Sequence, residues 1–422
     1  MIAESKLKQN SLSVFSDANA QRIFWGQLIS QTCDKLMSVG MIWVLSTHFS
    51  PKWIPWFIAV GALPHLLLAS RSGNWINRWG ALRTVIWADL FRGALFLICA
   101  WFIPHAGSDT YLLAFLLAAT FISNVAGSLF NPAILSLPVA IMEPGNKRDK
   151  LTALIDSCFS FGNVLGPLAA ALTYSAAGLG AMLIVNGLSY FFSALLAFGI
   201  RPQVSAHADT PAQDNSNGDS SASGSSSQRR RSVREVLRDQ PVITGMLITF
   251  LMMNFFLGPL MIFMPWYAKN VYGDGISGLA SLEACLGIGT VLGSTLLSVI
   301  SLPGAIWKRI SFCLSLMAIA YLSFTFSHIL FLGCLCVGIL GFFLALANVL
   351  TLNFFQSAPK SQDVPLVMGL VNLISVASLP ISMGIAGSFI DNLQVQSFAN
   401  ICAAIVIAIA VSIRFIPGIQ RV

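Results

Sequence analysis

Charge is what this sequence lacks. Only 10% of its 422 residues are Asp, Glu, Lys or Arg, against about 25% in an ordinary soluble domain. A water-soluble chain of this length could not cover its surface with so few charges, so the soluble classes are excluded. The long continuous apolar runs also exclude a barrel, whose strands alternate over about ten residues. No G-x-x-x-x-G-K-S/T run occurs, and no soluble segment is large enough to house a nucleotide site. The five His are scattered with no pair at ligand spacing, so no metal and no cofactor is expected. The eight Cys all fall inside apolar runs and read as small packing residues rather than as a disulfide framework. The polar first twenty residues and the length of the first apolar run argue against a cleavable signal.

What the chain has instead is hydrophobic length: 56% of its residues are hydrophobic. Twelve apolar segments follow one another, at about 23–48, 53–70, 82–103, 111–138, 151–174, 180–199, 241–267, 277–300, 306–326, 328–354, 364–389 and 393–417. Each is close to the roughly 20 residues that a helix needs to cross a bilayer. The 30 Phe and 33 Gly suit helices packed in lipid, where small residues permit close approach. The expected fold class is an all-α integral membrane protein. Trp25, Trp53, Trp56, Trp101, Trp266 and Tyr267 stand near span ends, where aromatic belts form.

Twenty of the 24 Lys and Arg fall in the termini and the loops that share their side. The opposite side holds Lys52 and Lys269, while Lys35 and Arg92 lie inside spans. The positive-inside rule then puts both termini in the cytoplasm. The net charge of +7 reflects this topology and calls for no nucleic acid. Between 203 and 232 the composition turns to Ser, Gly and Asn with a basic end, which reads as linker. The expected organisation is a cytoplasmic N-terminus at 1–22, a six-helix bundle at 23–199, a flexible basic linker at 200–240, a second six-helix bundle at 241–417 and a tail at 418–422.

The halves echo each other faintly. Spans 4 and 10 each carry an Asn near their ends, and Pro167 and Pro380 stand well inside spans 5 and 11. Six plus six with weak internal symmetry is a transporter arrangement. Loop 2–3, "SGNWINRWGALR", and span 5, "GNVLGPLAAAL", carry the family signal. With the twelve spans they resemble the major facilitator superfamily. In loop 2–3, Gly73, Arg78 and Gly80 match the family's G-x-x-x-D-R-x-G-R-R latch, Arg83 stands one residue past its final Arg pair in place of that pair, and Asn77 stands where an acid is usual. The resemblance implies a cytoplasmic latch, with Asp89 and Arg92 on span 3 as a structural pair tied to it. In span 5, Gly162, Gly166 and Pro167 match an export motif whose last two glycines are replaced by Ala170 and Ala171. Pro167 bends a span, and the small residues equally suit an ordinary packing seam.

Charged side chains inside spans are costly and rare. Asp34 and Lys35 are adjacent, so on a helix they point about 100° apart and do not read as a pair. Asp34 shares a face with Gln27, Gln31 and Ser38 at helical spacing, a polar stripe that must face the interior or a water-filled cavity. Asp34 is therefore read as a proton carrier or gating acid, or as a hydrogen-bond hub between spans. Lys35 is left to pair with another buried acid or to neutralise an anionic substrate. Glu283 is the one acid well inside the second half. A lone buried carboxylate can load a proton near neutral pH, so Asp34 and Glu283 are the proton-coupling or gating candidates. Asp156 and Asp391 sit at span ends. Asn124, Asn131, Asn254 and Asn348 are candidate cavity-lining groups, or plain interhelical hydrogen-bonding residues.

Within the superfamily, "GQLISQTCDKL", "ADLFRG", "FNPAILSLP" and "SLEACLGIGTVLGS" resemble the efflux branch that holds the enterobactin exporter and the macrolide efflux proteins. That resemblance implies proton-driven export of a siderophore, a drug or another bulky natural product across the cytoplasmic membrane. It implies a monomer working with protons and lipid, and not an enzyme. A lysophospholipid or lipid flippase, and an importer of a small nutrient, are the rival readings.

Overall fold

A computed structural model describes residues 17–105, 108–142, 146–201, 233–299, 304–360, 363–389 and 395–421. Among these the regular structure is entirely helical. The first half comprises α1 (Ala18–Val44), α2 (Trp53–Trp79), α3 (Ala81–Phe102), α4 (Asp109–Ile141) and α5 (Asn146–Phe198). A short α6 (Val233–Asp239) follows. The second half comprises α7 (Pro241–Leu257), α8 (Leu260–Asn270), α9 (Gly275–Val299), α10 (Ile306–Thr325), α11 (Leu330–Ser357), α12 (Val364–Phe389) and α13 (Val395–Ser412).

Nine helices among the described residues are long and apolar enough to cross a membrane, or ten with the bent α2. The sequence reading expects twelve. Two features account for the gap. Arg22, Asp34 and Lys35 and the polar stripe lower the hydropathy of α1. α5 runs through both expected spans 5 and 6, broken where Gly178 takes φ +68° after Ala177. Only glycine enters that region freely, so Gly178 turns the chain without a loop. Expected span 7 is split in turn at Gly258–Pro259, because Pro259 has no N–H for the helix ladder.

Two helix starts, those of α1 and α4, are capped by side chains. Asp17 caps α1 by accepting the Asn19 amide at 2.8 Å, replacing one of the orphan donors of a first turn. Asn19 in turn donates to the Arg201 carbonyl at 2.7 Å and accepts the Arg201 amide at 3.2 Å. These bonds tie the start of α1 to the end of α5. α6 occupies the end of the segment read as flexible linker. Val233, Val236 and Leu237 share a face there, and Val236 is buried, so this part docks instead of staying solvated. Residues 202–232 of that linker, residues 1–16, Asp391 and Val422 lie outside the described residues.

Packing separates the two ends of the bundle. At the end bearing the start of α1, one core cluster draws on the first half alone, with Ile23, Ile76, Val85, Ile134 and Ile155. At the other end the halves are fused. Ile42, Leu45, Ile54 and Leu113 pack with Ile262, Met383 and Ala386 from α8 and α12. Large apolar side chains such as Trp87, Leu172, Leu195 and Phe331 are exposed on the outside, which suits a surface bathed in lipid.

α9 and α11 touch backbone to backbone. A Cβ on Gly289 would collide with the Gly338 carbonyl oxygen, whereas a Cβ on Gly369 of α12 meets open space. Gly289→Ala is therefore expected to destabilise by about 1–3 kcal/mol, the cost of overpacking. Gly369→Ala should be neutral or slightly stabilising. Thermal unfolding of the detergent-purified variants measures both. Equal melting temperatures would show that the seam tolerates a methyl group.

Candidate functional site

A polar cavity of about 390 Å³ opens inside the first half. Five helices supply its polar wall. α1 gives Gln31, Asp34 and Ser38, α2 gives His65, α3 gives Arg92, α4 gives Asn124 and Asn131, and α5 gives Tyr190. Phe57, Phe96 and Phe159 are among its apolar lining, and Asn186 of α5 adds a further amide. The spacing of three and four along α1 puts its polar residues on one face, and that face meets the hollow. Gln27, one turn before Gln31, is buried beside the cavity and accepts the Gln31 amide at 3.4 Å.

The chemistry is concentrated at one corner. Arg92 Nη2 donates to Asp89 Oδ1 at 2.6 Å, and Arg92 Nη1 stands 3.7 Å from Asp34 Oδ2. The guanidinium lies between two aromatic faces, 4.2 Å from the centroids of both Phe130 and Tyr190, where cation–π attraction adds to the ion pairing. The Tyr190 hydroxyl donates to Asp34 Oδ1 and accepts from Arg92 Nη1 at 3.3 Å. One cation thus serves two carboxylates. Asp89 is fully buried and Arg92 is 6% exposed, while Asp34 keeps 31% of its side chain open. Across the cavity, His65 Nε2 lies 3.3 Å from Asn124 Oδ1.

Lys35 takes another direction, as its 100° offset from Asp34 requires. Its ammonium meets Glu283 Oε2 of α9 at 3.0 Å, with Glu283 only 3% exposed. This ion pair joins the two halves of the chain. The sequence reading treats Glu283 as a lone carboxylate, and the structure corrects that by giving it Lys35 as a partner. Glu283 is not among the residues that line the polar cavity of the first half. Its partner is 248 positions away in sequence, a distance over which no local pattern could reveal it.

Asp89 and Arg92 also depart from the expectation that ties them to the loop latch. Gly73, Asn77, Arg78, Gly80 and Arg83 sit exposed around the α2–α3 turn, where Gly80 has φ +84°. Arg92 is twelve residues further along α3, about 18 Å at 1.5 Å per residue. That distance carries it to the cavity. Asn254 and Asn348 stand apart from the first cavity. They line a second hollow of about 210 Å³ among α7, α8 and α11, whose wall is chiefly apolar and includes Met246, Met253 and Met261.

Of the span 5 motif, Gly162 and Gly166 face α1. A Cβ on Gly162 would sit 3.1 Å from the Gln31 carbonyl, and one on Gly166 2.5 Å from Lys35 Cβ. These small residues let α5 press against the part of α1 that carries Asp34 and Lys35. Tyr190, His65 and Phe130 were not singled out in the sequence. Tyr190 and His65 were detectable only as polar interruptions of apolar runs, and Phe130 as one of 30 Phe.

The comparisons with known proteins agree with this architecture. The curated relatives include a protein described as a candidate bacilysin exporter, BacE, from Bacillus subtilis. It is 25% identical over 281 residues, covering 66% of this chain and 66% of that protein. The chain thus spans just under two thirds of the length of that relative. Macrolide efflux protein A of Streptococcus pyogenes is 20% identical over 414 residues, covering 94% of this chain and 96% of that protein. Among solved structures, the peptide transporter POT in complex with sulfate matches with a TM-score of 0.70 at 12% identity, covering 96% of this chain and 95% of that one. A bacterial homologue of the human lysosomal transporter Spinster, inward-facing and occupied, matches with a TM-score of 0.62 at 12% identity, covering 96% of both chains. Such likenesses carry the fold alone. The family model of the Major Facilitator Superfamily matches residues 23–383, and this chain therefore belongs to that superfamily as an all-helical, multi-pass membrane protein.

Proposed function

We propose that this chain is a proton-driven exporter of a bulky amphipathic small molecule, working by alternating access as a monomer in the bacterial cytoplasmic membrane. The observation that carries the reading is Asp34, a partly open carboxylate at membrane depth on the wall of a polar cavity. Intramembrane acids of that kind mark substrate or proton paths. Support for export comes from the bacilysin and macrolide relatives and from the glycines of α5 packed on α1. With α1, the bent α2 and the two limbs of α5 each taken as a span, this reading has twelve spans in two six-helix bundles. The distribution of Lys and Arg supports cytoplasmic termini, and the apolar packing between halves at the opposite end supports a cavity that opens to the cytoplasm.

The test compares spent medium from a strain lacking the gene with that of the complemented strain, by untargeted mass spectrometry, with and without iron. A compound that leaves the medium and accumulates in the cells identifies the cargo, and an iron chelator would make it a siderophore. Export should collapse with a protonophore, and Asp34→Asn should lower it by about tenfold or more. Matching media under both conditions, with unchanged drug tolerance, would overturn export and turn attention to lysolipid transport or nutrient uptake.

A further inference from the structure

Resting on that reading, we propose that the first-half cavity takes a ligand carrying one protonated amine, held by the exposed side of the Asp34 carboxylate. The argument is one of charge and access. Asp34, Asp89 and Arg92 together hold two carboxylates and one guanidinium, so the corner carries an excess of one negative charge when both acids are ionised. Arg92 reaches the wall, but its charge is already committed. It is 6% exposed, bonded to Asp89 at 2.6 Å and 4.2 Å from the ring centroids of both Phe130 and Tyr190. Lys35, the other cation within the membrane, is turned to Glu283 at 3.0 Å and does not line the hollow. Asp34 is therefore the charge that a ligand meets.

The rest of the wall fits the same chemistry. Gln31, Asn131 and Asn186 bring amide groups to the wall whose carbonyls suit N–H donors, and His65 stands 3.3 Å from the Asn124 side-chain carbonyl oxygen. Phe57, Phe96 and Phe159 provide faces for the apolar body and for the methylenes next to an ammonium. The Asp34 carboxylate gives one oxygen to Tyr190 and sets the other 3.7 Å from Arg92, yet 31% of its side chain stays open, which leaves lone pairs on the cavity side for a charge-assisted bond. The second cavity has no ionisable side chain on its wall, so a charged head group belongs in the first.

The experiment is calorimetric titration of the purified full-length protein with three matched probes: phenylbutylamine, phenylbutanol and phenylbutyrate. The amine is expected to bind the wild type about tenfold or more tighter than the alcohol, with the carboxylate weakest. In Asp34→Asn the amine and the alcohol should bind within about twofold of each other, and Asp34→Glu should keep the preference, which separates loss of charge from misfolding. A carboxylate that binds as well as the amine, an amine preference that survives Asp34→Asn, or no amine binding overturns the inference. If the exported compound found in the medium comparison lacks a basic nitrogen, this inference fails while the export reading stands.

Discussion

Arg92→Met is expected to leave little folded protein in the membrane. The substitution keeps an apolar stem between Phe130 and Tyr190 but removes the cation that serves Asp89 and Asp34. Removing one member of a buried charge set costs about 3–5 kcal/mol, because the remaining charges are stranded. That is a large share of the whole stability of a typical domain. The readout is the yield of monodisperse protein after detergent extraction, together with its melting temperature. The decisive companion is the triple variant Asp34→Asn, Asp89→Asn and Arg92→Met. Removing every charge of the set together avoids the stranding, so the triple variant should recover most of the lost stability. Were the triple variant as unstable as Arg92→Met, the guanidinium would matter for its packing on the two rings and not for its charge.

The second large effect concerns the bridge between the halves. Glu283→Gln, or Lys35→Met, should weaken the arrangement in which α1 lies against α9 and let the opposite conformation be populated. A charge-assisted contact is worth about 1.5–3 kcal/mol, which is roughly a 10- to 150-fold shift in a two-state equilibrium. Spin labels on His48 and Asn270, both exposed at the sealed end, would report it. In a background with the native cysteines replaced, the wild-type charges should give one short distance, and Glu283→Gln a second, longer population. The charge exchange Lys35→Glu with Glu283→Lys should restore the single distance. An unchanged distribution in both single variants would show that apolar packing around Ile42, Leu45, Ile262 and Met383 holds that end by itself.

The sequence by itself determined the class, the family and the face. Scarcity of charge and the twelve apolar runs required helices in lipid, since only lipid accepts that much apolar surface. The loop motif and the α5 glycines pointed to the superfamily that the comparisons establish. Gln31, Asp34 and Ser38 were legible as a lining because spacing along one helix is a local property, and a polar stripe in a membrane has few places to go. The tertiary structure alone decided the partners. Lys35 meets Glu283 across the two halves, Tyr190 reaches Asp34 from the far limb of α5, and Arg92 is enclosed by Phe130 and Tyr190. None of these pairs shares a helix, and nothing local to either member fixes which helices become neighbours. For the same reason Glu283 read as a lone acid, and the Asp89–Arg92 pair, legible from its spacing on one helix, was tied to the loop instead of to Asp34. The helix period gives a side chain's direction around its own axis, but what stands in that direction is set by how the helices pack.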